Sequence, residues 1–168
     1  MKIAVSSCLL GNNVRYDGDN KHNDIILYEL SKQFDFIPFC PEDIAFGTPR
    51  ESIRILFNDA QQKIITSNKL QQDLTLELSQ AITVELNRLS KEPICGVIFK
   101  SKSPSCGLSS AVIENNGTME ENQDGLFAAS VKNIYPLLPM IEESDLIDEQ
   151  LKNQFISLAI TYHKGLLY

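Results

Sequence analysis

The sequence has 168 residues, of which 43% are hydrophobic, and its 22 acidic and 15 basic residues give a net charge of −7. This size and apolar content predict a single domain over residues 1–168 with its own core, while the acidic balance disfavours DNA and RNA as partners because their binding depends on neutralised phosphates. No apolar run approaches the ~20 residues of a membrane helix, and the first strand begins without a secretory h-region, so we expect a cytoplasmic protein.

Predicted strands and helices alternate along the chain. After Asp73, apolar residues recur three and four positions apart, which indicates the clearest helix. The continuous apolar run over 94–99 is typical of a strand buried on both faces of a parallel sheet. The predicted elements are a strand over 2–5, a helix over 25–30 capped by Asn23 or Asp24, a strand over 36–39, a hairpin over 53–57 and 63–66, a helix over 74–89, a central strand over 94–99, a strand over 111–113, a helix over 124–131, an edge strand over 135–141 and a closing helix from 144.

This order of elements predicts the fold class. Strands that alternate with helices form a mostly parallel sheet with helices on both faces. We therefore expect an α/β, Rossmann-like domain, in which the hairpin over 53–66 is peripheral to the main sheet.

Three of the four cysteines follow predicted strands. Cys8 and Cys40 come after the first and second strands and Cys106 after the central one, and the carboxyl ends of parallel strands are where ligands bind. Cys95 lies inside the central strand and is interpreted as a small buried hydrophobic residue. Three thiols are one short of the usual four in zinc and iron–sulfur sites. Because no C-x₂-C pair is present, the spacing alone leaves a metal site and three unrelated cysteines as equal alternatives.

Four motifs, in order, carry a family resemblance. They are Ser6-x-Cys8-Leu9-Leu10-Gly11-x-x-Val14-Arg15-Tyr16-Asp17-Gly18, Cys40-Pro41-Glu42, Gly47-Thr48-Pro49-Arg50 and Ser101-x-Ser103-Pro104-Ser105-Cys106-Gly107. Over residues 1–140 they resemble the thiouracil desulfidase family. The resemblance implies an oxygen-sensitive [4Fe–4S] cluster on Cys8, Cys40 and Cys106, with a fourth iron open to the sulfur of the substrate. It also implies non-redox desulfuration of a 2-thiouracil-like base or nucleoside to its oxo form, with release of sulfide.

The motifs also suggest roles for individual side chains. Glu42, two residues after Cys40 on a turn stiffened by Pro41, is the candidate general acid and base; its alternative is a carboxylate that stabilises a helix start. Ser101 is the second catalytic candidate, on the strength of the resemblance. Asp17 has an alternative as part of an Asp-Gly turn, and the serines are expected to donate hydrogen bonds to substrate or water. The predicted substrate-binding residues are Ser105, Lys100, Asp17 and Ser103.

Several questions stay open at the level of sequence. Residues 141–168 form a predicted helical extension of the same domain. Its role has three alternatives: an additional helix, a contact in a homodimer, or a lid over the site. Larger, fused members of the family point to thiolated tRNA as an alternative substrate. A non-catalytic iron–sulfur or sulfide-carrying protein and a zinc-binding protein are competing hypotheses. The sequence has no G-x-S-x-G motif, which disfavours a serine hydrolase. It also has no G-x-G-x-x-G or G-x-x-x-x-G-K-[ST] motif, which disfavours a dinucleotide-binding or a P-loop protein. We expect the cluster to be absent from protein prepared in air.

Overall fold

The computed structural model describes residues 1–165, and within them the chain forms eight strands and four α-helices. Residues 166–168 of the predicted C-terminal extension lie outside this part. No helix within it is long and apolar enough to cross a bilayer. The elements are β1 (Lys2–Ser6), β2 (Asp35–Phe39), α1 (Pro41–Phe46), β3 (Ile53–Phe57), β4 (Lys63–Ser67), α2 (Thr75–Leu89), β5 (Ile94–Phe99), β6 (Ala111–Asn115), β7 (Thr118–Gln123), α3 (Leu126–Ile134), β8 (Met140–Glu142) and α4 (Glu149–His163).

The first sheet is parallel throughout its described strands and has the order β2-β1-β5-β8. The chain moves from β1 to β2 on one side and later returns to place β5 on the other side of β1. A crevice opens at such a switch point, outside the carboxyl ends of the strands. The parallel sheet and the central position of residues 94–99 confirm the predicted fold class.

The predicted hairpin is part of a second sheet. Strands β3 and β4 are antiparallel, as expected, but β3 also pairs in parallel with β6, and β6 pairs antiparallel with β7. The result is a mixed sheet of order β4-β3-β6-β7. The sequence pattern did not predict β7 because its sequence, TMEENQ, is mostly polar and exposed. Pairing with β6, rather than burial of an apolar face, holds this strand.

Helices cover both faces of the parallel sheet, as predicted. On one face, Ala4, Val97 and Phe99 pack in a core that also contains residues of α2, α3 and the second sheet. On the other face, Ile3 and Ile98 belong to a core that includes residues of α4 and of the helical segment after β1. Both cores bury aliphatic and aromatic side chains, each of which contributes roughly 1.5–3 kcal/mol when fully removed from water.

An aromatic cluster supports the carboxyl end of β2. The ring centroid of Phe39 lies 4.9 Å from that of Phe127 on α3 and 5.7 Å from that of Phe99 at the end of β5. Tilted and edge-on contacts at these separations are favourable. Phe39 immediately precedes Cys40, so this packing anchors the strand end from which Cys40 extends.

Several element boundaries differ from the prediction. The segment Ile25–Glu29 is a π-helical turn followed by a 3₁₀ turn over Leu30–Lys32, and the Asn23 side chain accepts the N–H of Ile26, as a cap would. The predicted strand over 135–141 shrinks to β8, because the prolines before it cannot donate ladder hydrogen bonds. The closing helix begins only at Glu149, where the side chain of Asp148 caps it. Helix α1 was not among the predicted elements, although the alternative role of Glu42 assumes a helix start there, and Glu42 does lie in its first turn.

Candidate active site

A cleft of about 420 Å³ lies at the carboxyl ends of β1, β2 and β5. The loops that follow these strands line it, and the three cysteines singled out from the sequence, Cys8, Cys40 and Cys106, are all among its lining residues. All four cysteines are free thiols. Cys95 faces the core instead, with its sulfur 3.2 Å from the carbonyl oxygen of Lys2. The structure thus brings the three predicted ligands to one cleft and separates the fourth cysteine from it.

Each of the first two cysteines sits at a defined backbone position. Cys8 lies in the 3₁₀ turn Ser7–Leu10, and its carbonyl oxygen accepts the N–H of Gly11 at 3.3 Å and of Lys21 at 2.9 Å. Gly11 ends the turn with a φ of 87°, in the left-handed region that glycine tolerates. Cys40 is the N-cap residue of α1, and its sulfur lies 3.9 Å from the carbonyl oxygen of Val14. The loops after β1 and β2 are therefore tied to each other beside the cleft.

The loop that carries Cys106 is held by α3. The backbone N–H groups of Leu126 and Phe127 donate to the carbonyl oxygens of Pro104 at 3.1 Å and Ser105 at 2.8 Å. Gly125 permits this approach, since a Cβ there would lie 2.6 Å from the Ser105 carbonyl oxygen. The start of the helix thereby satisfies its free N–H groups with the loop, which fixes the backbone next to Cys106.

The three thiols of the cleft all have raised pKa values, and burial is the largest cause for each. Burial raises the pKa of Cys40 to about 12. It also raises the pKa of Cys8, against the opposing effect of Lys100. Cys106 is the most buried of the three, and burial together with Cys40 and Glu42 raises its pKa well above the usual range. A metal group that takes these sulfurs as thiolates must displace their protons.

Glu42 joins the loops of two cysteines. One of its carboxylate oxygens accepts a hydrogen bond from the hydroxyl of Ser105, and the other pairs with Nη2 of Arg50 at 3.0 Å. The side chains of Glu42 and Arg50 are 13% and 6% exposed, so this ion pair is largely buried. Arg50 also donates to the carbonyl oxygens of Val14 at 2.9 Å and Gly47 at 3.0 Å. The predicted acid and base thus lines the cleft in a fixed orientation.

A second carboxylate stands behind Lys100 and Ser101. Glu143 follows β8 and accepts the Ser101 hydroxyl at 2.7 Å, the Ser101 N–H at 2.6 Å and the Lys100 ammonium at 2.5 Å. Lys100 also donates to the Ser101 hydroxyl oxygen at 3.0 Å. Both Lys100 and Ser101 line the cleft. The hydroxyl protons of Ser101 and Ser105 are therefore directed to carboxylates.

The two remaining predicted substrate-binding residues differ in position. Ser103 lines the cleft, and its hydroxyl oxygen accepts the N–H groups of Cys106 at 3.0 Å and Ser105 at 3.3 Å, which closes the loop. Asp17 does not line the cleft; its carboxylate accepts the Asp19 N–H at 3.2 Å and lies 3.5 Å from Nε of Arg15. Within residues 1–165 no group of three or more His, Cys, Asp or Glu side chains is arranged to hold a metal ion.

Comparison with known families decides the assignment. A family model described as 2-thiouracil desulfurase matches residues 3–143. The chain belongs to this family. The match confirms the resemblance predicted from the four motifs.

A solved structure adds to this desulfurase assignment. The chain is similar to a protein described as the [4Fe–4S]-dependent thiouracil desulfidase TudS, with 26% identity and a TM-score of 0.67. The similarity covers 91% of this chain and 97% of the other. A comparison with curated proteins found no match.

The donor set of this desulfurase family member fits an iron–sulfur cluster. Three soft sulfur donors converge on one cleft, and thiolate is the ligand that such clusters prefer.

Two residues of the candidate site were not identified from the sequence. Glu143 was not considered, although its place just after the last parallel strand puts it at the same sheet edge as the cysteines. Arg50 ends the third of the four motifs but is not among the predicted site residues, and the structure shows it paired with Glu42. The signal in the sequence is a charged side chain directly after a predicted strand, since ligands bind outside the carboxyl ends of parallel strands.

Proposed function

We propose that this protein removes sulfur from a thiolated pyrimidine of the 2-thiouracil type, as free base or nucleoside, and releases sulfide. The observation that carries the proposal is the convergence of Cys8, Cys40 and Cys106 with Glu42 on one cleft. Membership of the 2-thiouracil desulfurase family and the likeness to a [4Fe–4S]-dependent desulfidase support it.

The three cysteines would hold a [4Fe–4S] cluster. When bound, such a cluster supplies a thiophilic, Lewis-acidic iron that favours departure of sulfur from carbon. The protein's own contribution is the placement of the three sulfurs in the segments that follow three adjacent strands, and the largely buried Glu42 beside them.

Glu42 is the proposed proton carrier. The overall reaction adds water to the carbon that bears sulfur and yields the oxo pyrimidine and hydrogen sulfide, with no change of oxidation state. Glu42 takes a proton from the attacking water and passes it to the sulfur. As the carbon–sulfur bond breaks, Glu42 takes the second proton from the added hydroxyl, which becomes the oxo group, and this proton completes the hydrogen sulfide. A carboxylate offers about four acceptor positions, so the contacts with Arg50 and Ser105 leave room for a water molecule.

Ser105 and Ser101 have different proposed tasks. Ser105 holds Glu42 in place through its hydroxyl, whereas Ser101 and Lys100 contact the pyrimidine ring. The cleft lies at the small end of ligand sites, and it must hold a cluster as well. A base or nucleoside suits this volume better than a folded tRNA. Free thiols and an oxygen-sensitive group also suit a reducing compartment, and we place the protein in the cytoplasm.

The test is anaerobic reconstitution with iron and sulfide, followed by metal analysis and a 2-thiouracil assay in water labelled with heavy oxygen. We expect about four iron atoms per chain, release of sulfide, and one labelled oxygen in each uracil formed. A cluster without turnover of the base or its nucleoside would favour a sulfide carrier or a tRNA substrate. Zinc in place of iron, or unlabelled uracil, would contradict the proposal.

A further inference from the structure

We propose that Glu143 is a positioning residue that turns the Ser101 hydroxyl so that Ser101 accepts a hydrogen bond from a ring N–H of the pyrimidine. This inference rests on the proposed function and concerns how the site selects its substrate. It assigns a task to a carboxylate that the proposed desulfuration itself does not use.

The contacts of Glu143 come from donors alone. One oxygen accepts the Ser101 hydroxyl at 2.7 Å and the Lys100 ammonium at 2.5 Å, and the other accepts the Ser101 N–H at 2.6 Å. Glu143 is 11% exposed, so solvent competes little for these bonds. Its own N–H donates to the carbonyl oxygen of Phe99 at 3.1 Å, which ties it to the end of β5.

The orientation of the Ser101 hydroxyl follows from these contacts. A serine hydroxyl has one proton and two acceptor positions. The proton is directed to Glu143, and one acceptor position takes the Lys100 ammonium at 3.0 Å. The second acceptor position is left for the cleft, which Ser101 lines. Ser101 therefore recognises a donor, and the N–H groups of a thiolated pyrimidine ring are donors of the required kind.

Replacement of Glu143 by Gln changes the group that the Ser101 hydroxyl proton faces. Gln presents one acceptor oxygen and one donor NH₂ group, whereas all three partners of Glu143 are donors. In either orientation the NH₂ group faces the Ser101 N–H or the Lys100 ammonium. With the NH₂ group beside Lys100, the Ser101 hydroxyl faces a donor and is free to turn its proton to the cleft. With the NH₂ group beside the Ser101 N–H, the amide oxygen still accepts the hydroxyl, but two donors then face each other, which disfavours this orientation.

The experiment compares 2-thiouracil with its two ring-N-methylated forms in the cluster-loaded protein. We expect the wild type to disfavour at least one methylated form and Glu143→Gln to reduce that discrimination. Loss of a supporting residue of this kind typically lowers activity about 10- to 100-fold, so kcat/KM for 2-thiouracil should fall by roughly that factor. Iron content should stay at the wild-type level.

A matched control exists in Asp124→Asn. Asp124 accepts the N–H of Ser109 at 2.8 Å, its hydroxyl at 3.2 Å and the ammonium of Lys132 at 2.7 Å, which is the same donor set as that of Glu143. Ser109 does not line the cleft. Asp124→Asn should therefore affect stability without affecting the discrimination between methylated forms.

A double variant and a binding measurement further test whether Glu143 acts through Ser101. In a Ser101→Ala background, Glu143→Gln should have little additional effect on the discrimination between methylated forms, because Glu143 acts on it through Ser101; additive losses of discrimination would overturn the proposal. If Glu143→Gln does not fold, Ser101→Ala still tests the proposal, because discrimination that survives in this variant would overturn it. Calorimetric binding of uracil and its ring-N-methylated forms gives the same comparison without turnover. An inactive wild type would therefore count against the proposed function and leave this inference testable.

Discussion

The hydroxyl of Ser105 donates a hydrogen bond to the carboxylate of Glu42, although the two residues are 63 positions apart in the chain. This contact joins the loop of Cys106 to the helix start that follows Cys40. The other oxygen of Glu42 pairs with Arg50, which in turn binds the carbonyl oxygen of Val14 in the loop after Cys8. The proposed acid and base is thus a structural link between the three cysteine loops.

Replacement of Glu42 separates chemistry from cluster binding. In Glu42→Gln the side chain keeps its shape but cannot carry a proton, so we expect kcat to fall by roughly 10²- to 10⁴-fold while iron content is retained. The control is Asp43→Asn, a neighbour on the same helix start that accepts from Thr48 at 2.5 Å and does not line the cleft. Unaltered turnover in Glu42→Gln would count against the mechanism and favour a carrier role.

The cysteines can be tested one at a time. Cys8→Ala, Cys40→Ala and Cys106→Ala should each lose the cluster, because two remaining thiolates hold it too weakly. Cys95→Ala should keep it and lose only about 1–2 kcal/mol of stability from its core position. Iron analysis and the visible absorbance of reconstituted protein measure both results. Equal loss of iron in the Cys95 variant would mean that the ligand assignment is wrong.

Arg50 should contribute much more to stability than a surface arginine. Arg50→Met leaves the buried Glu42 charge without its partner, which typically costs about 3–5 kcal/mol. Arg54→Met is the control, since Arg54 pairs with Glu114 at 3.0 Å while 35% exposed, and such pairs contribute about 0–1 kcal/mol. Urea unfolding of the two variants gives the comparison. Similar losses would show that the Glu42–Arg50 pair is not specially important for stability.

A methyl group at Gly125 should loosen the loop of Cys106. Gly125 has an ordinary φ of −64°, so the effect of Gly125→Ala comes from the clash with the Ser105 carbonyl group alone. We expect a loss of about 1–3 kcal/mol and weaker retention of iron. Gly117→Ala is the control: its φ of 81° costs about 1–2 kcal/mol, but a Cβ there meets open space. Iron retention that falls equally in both variants would refute a specific role for Gly125.

Glu142 should make stability depend on pH in the acidic range. Burial is the main cause that raises the pKa of Glu142 above its ordinary value of 4.5. Its proton therefore stabilises the fold fully below the unfolded-state value, and this contribution is lost as the pH rises through the higher folded-state value. Glu142→Gln stays neutral and keeps an acceptor oxygen for Leu108 and Ser110, which both bind the same oxygen in the wild type.

The expected result is a difference in unfolding free energy that moves in favour of Glu142→Gln as the pH rises from the acidic range to neutrality. Denaturant unfolding of both proteins at several pH values measures it, and the titration of all other groups is common to both. A difference that does not vary with pH would show that Glu142 titrates normally in the fold.

Local pattern was sufficient for much of the fold. The apolar run of β5 and the spacing of apolar residues in α2 each identify an element without reference to the rest of the chain, and both were predicted within a residue or two. Strand β7 was missed because its side chains are exposed and polar, so that its conformation depends on the hydrogen bonds of β6. The second sheet was missed because the pairing of β3 with β6 joins segments that are distant in the sequence, and no local pattern records such a pairing.

In the candidate site, too, some features follow from local sequence and others from the packing of the whole chain. By itself the sequence determined which thiols follow strand ends and which one lies within a strand, because side-chain chemistry and strand position are local properties. Only the tertiary structure decided that Ser105 donates to Glu42 and Ser101 to Glu143, and that Asp17 stays outside the cleft. Hydrogen-bond partners depend on the paths of loops and on the relative positions of distant elements, which packing of the whole chain sets.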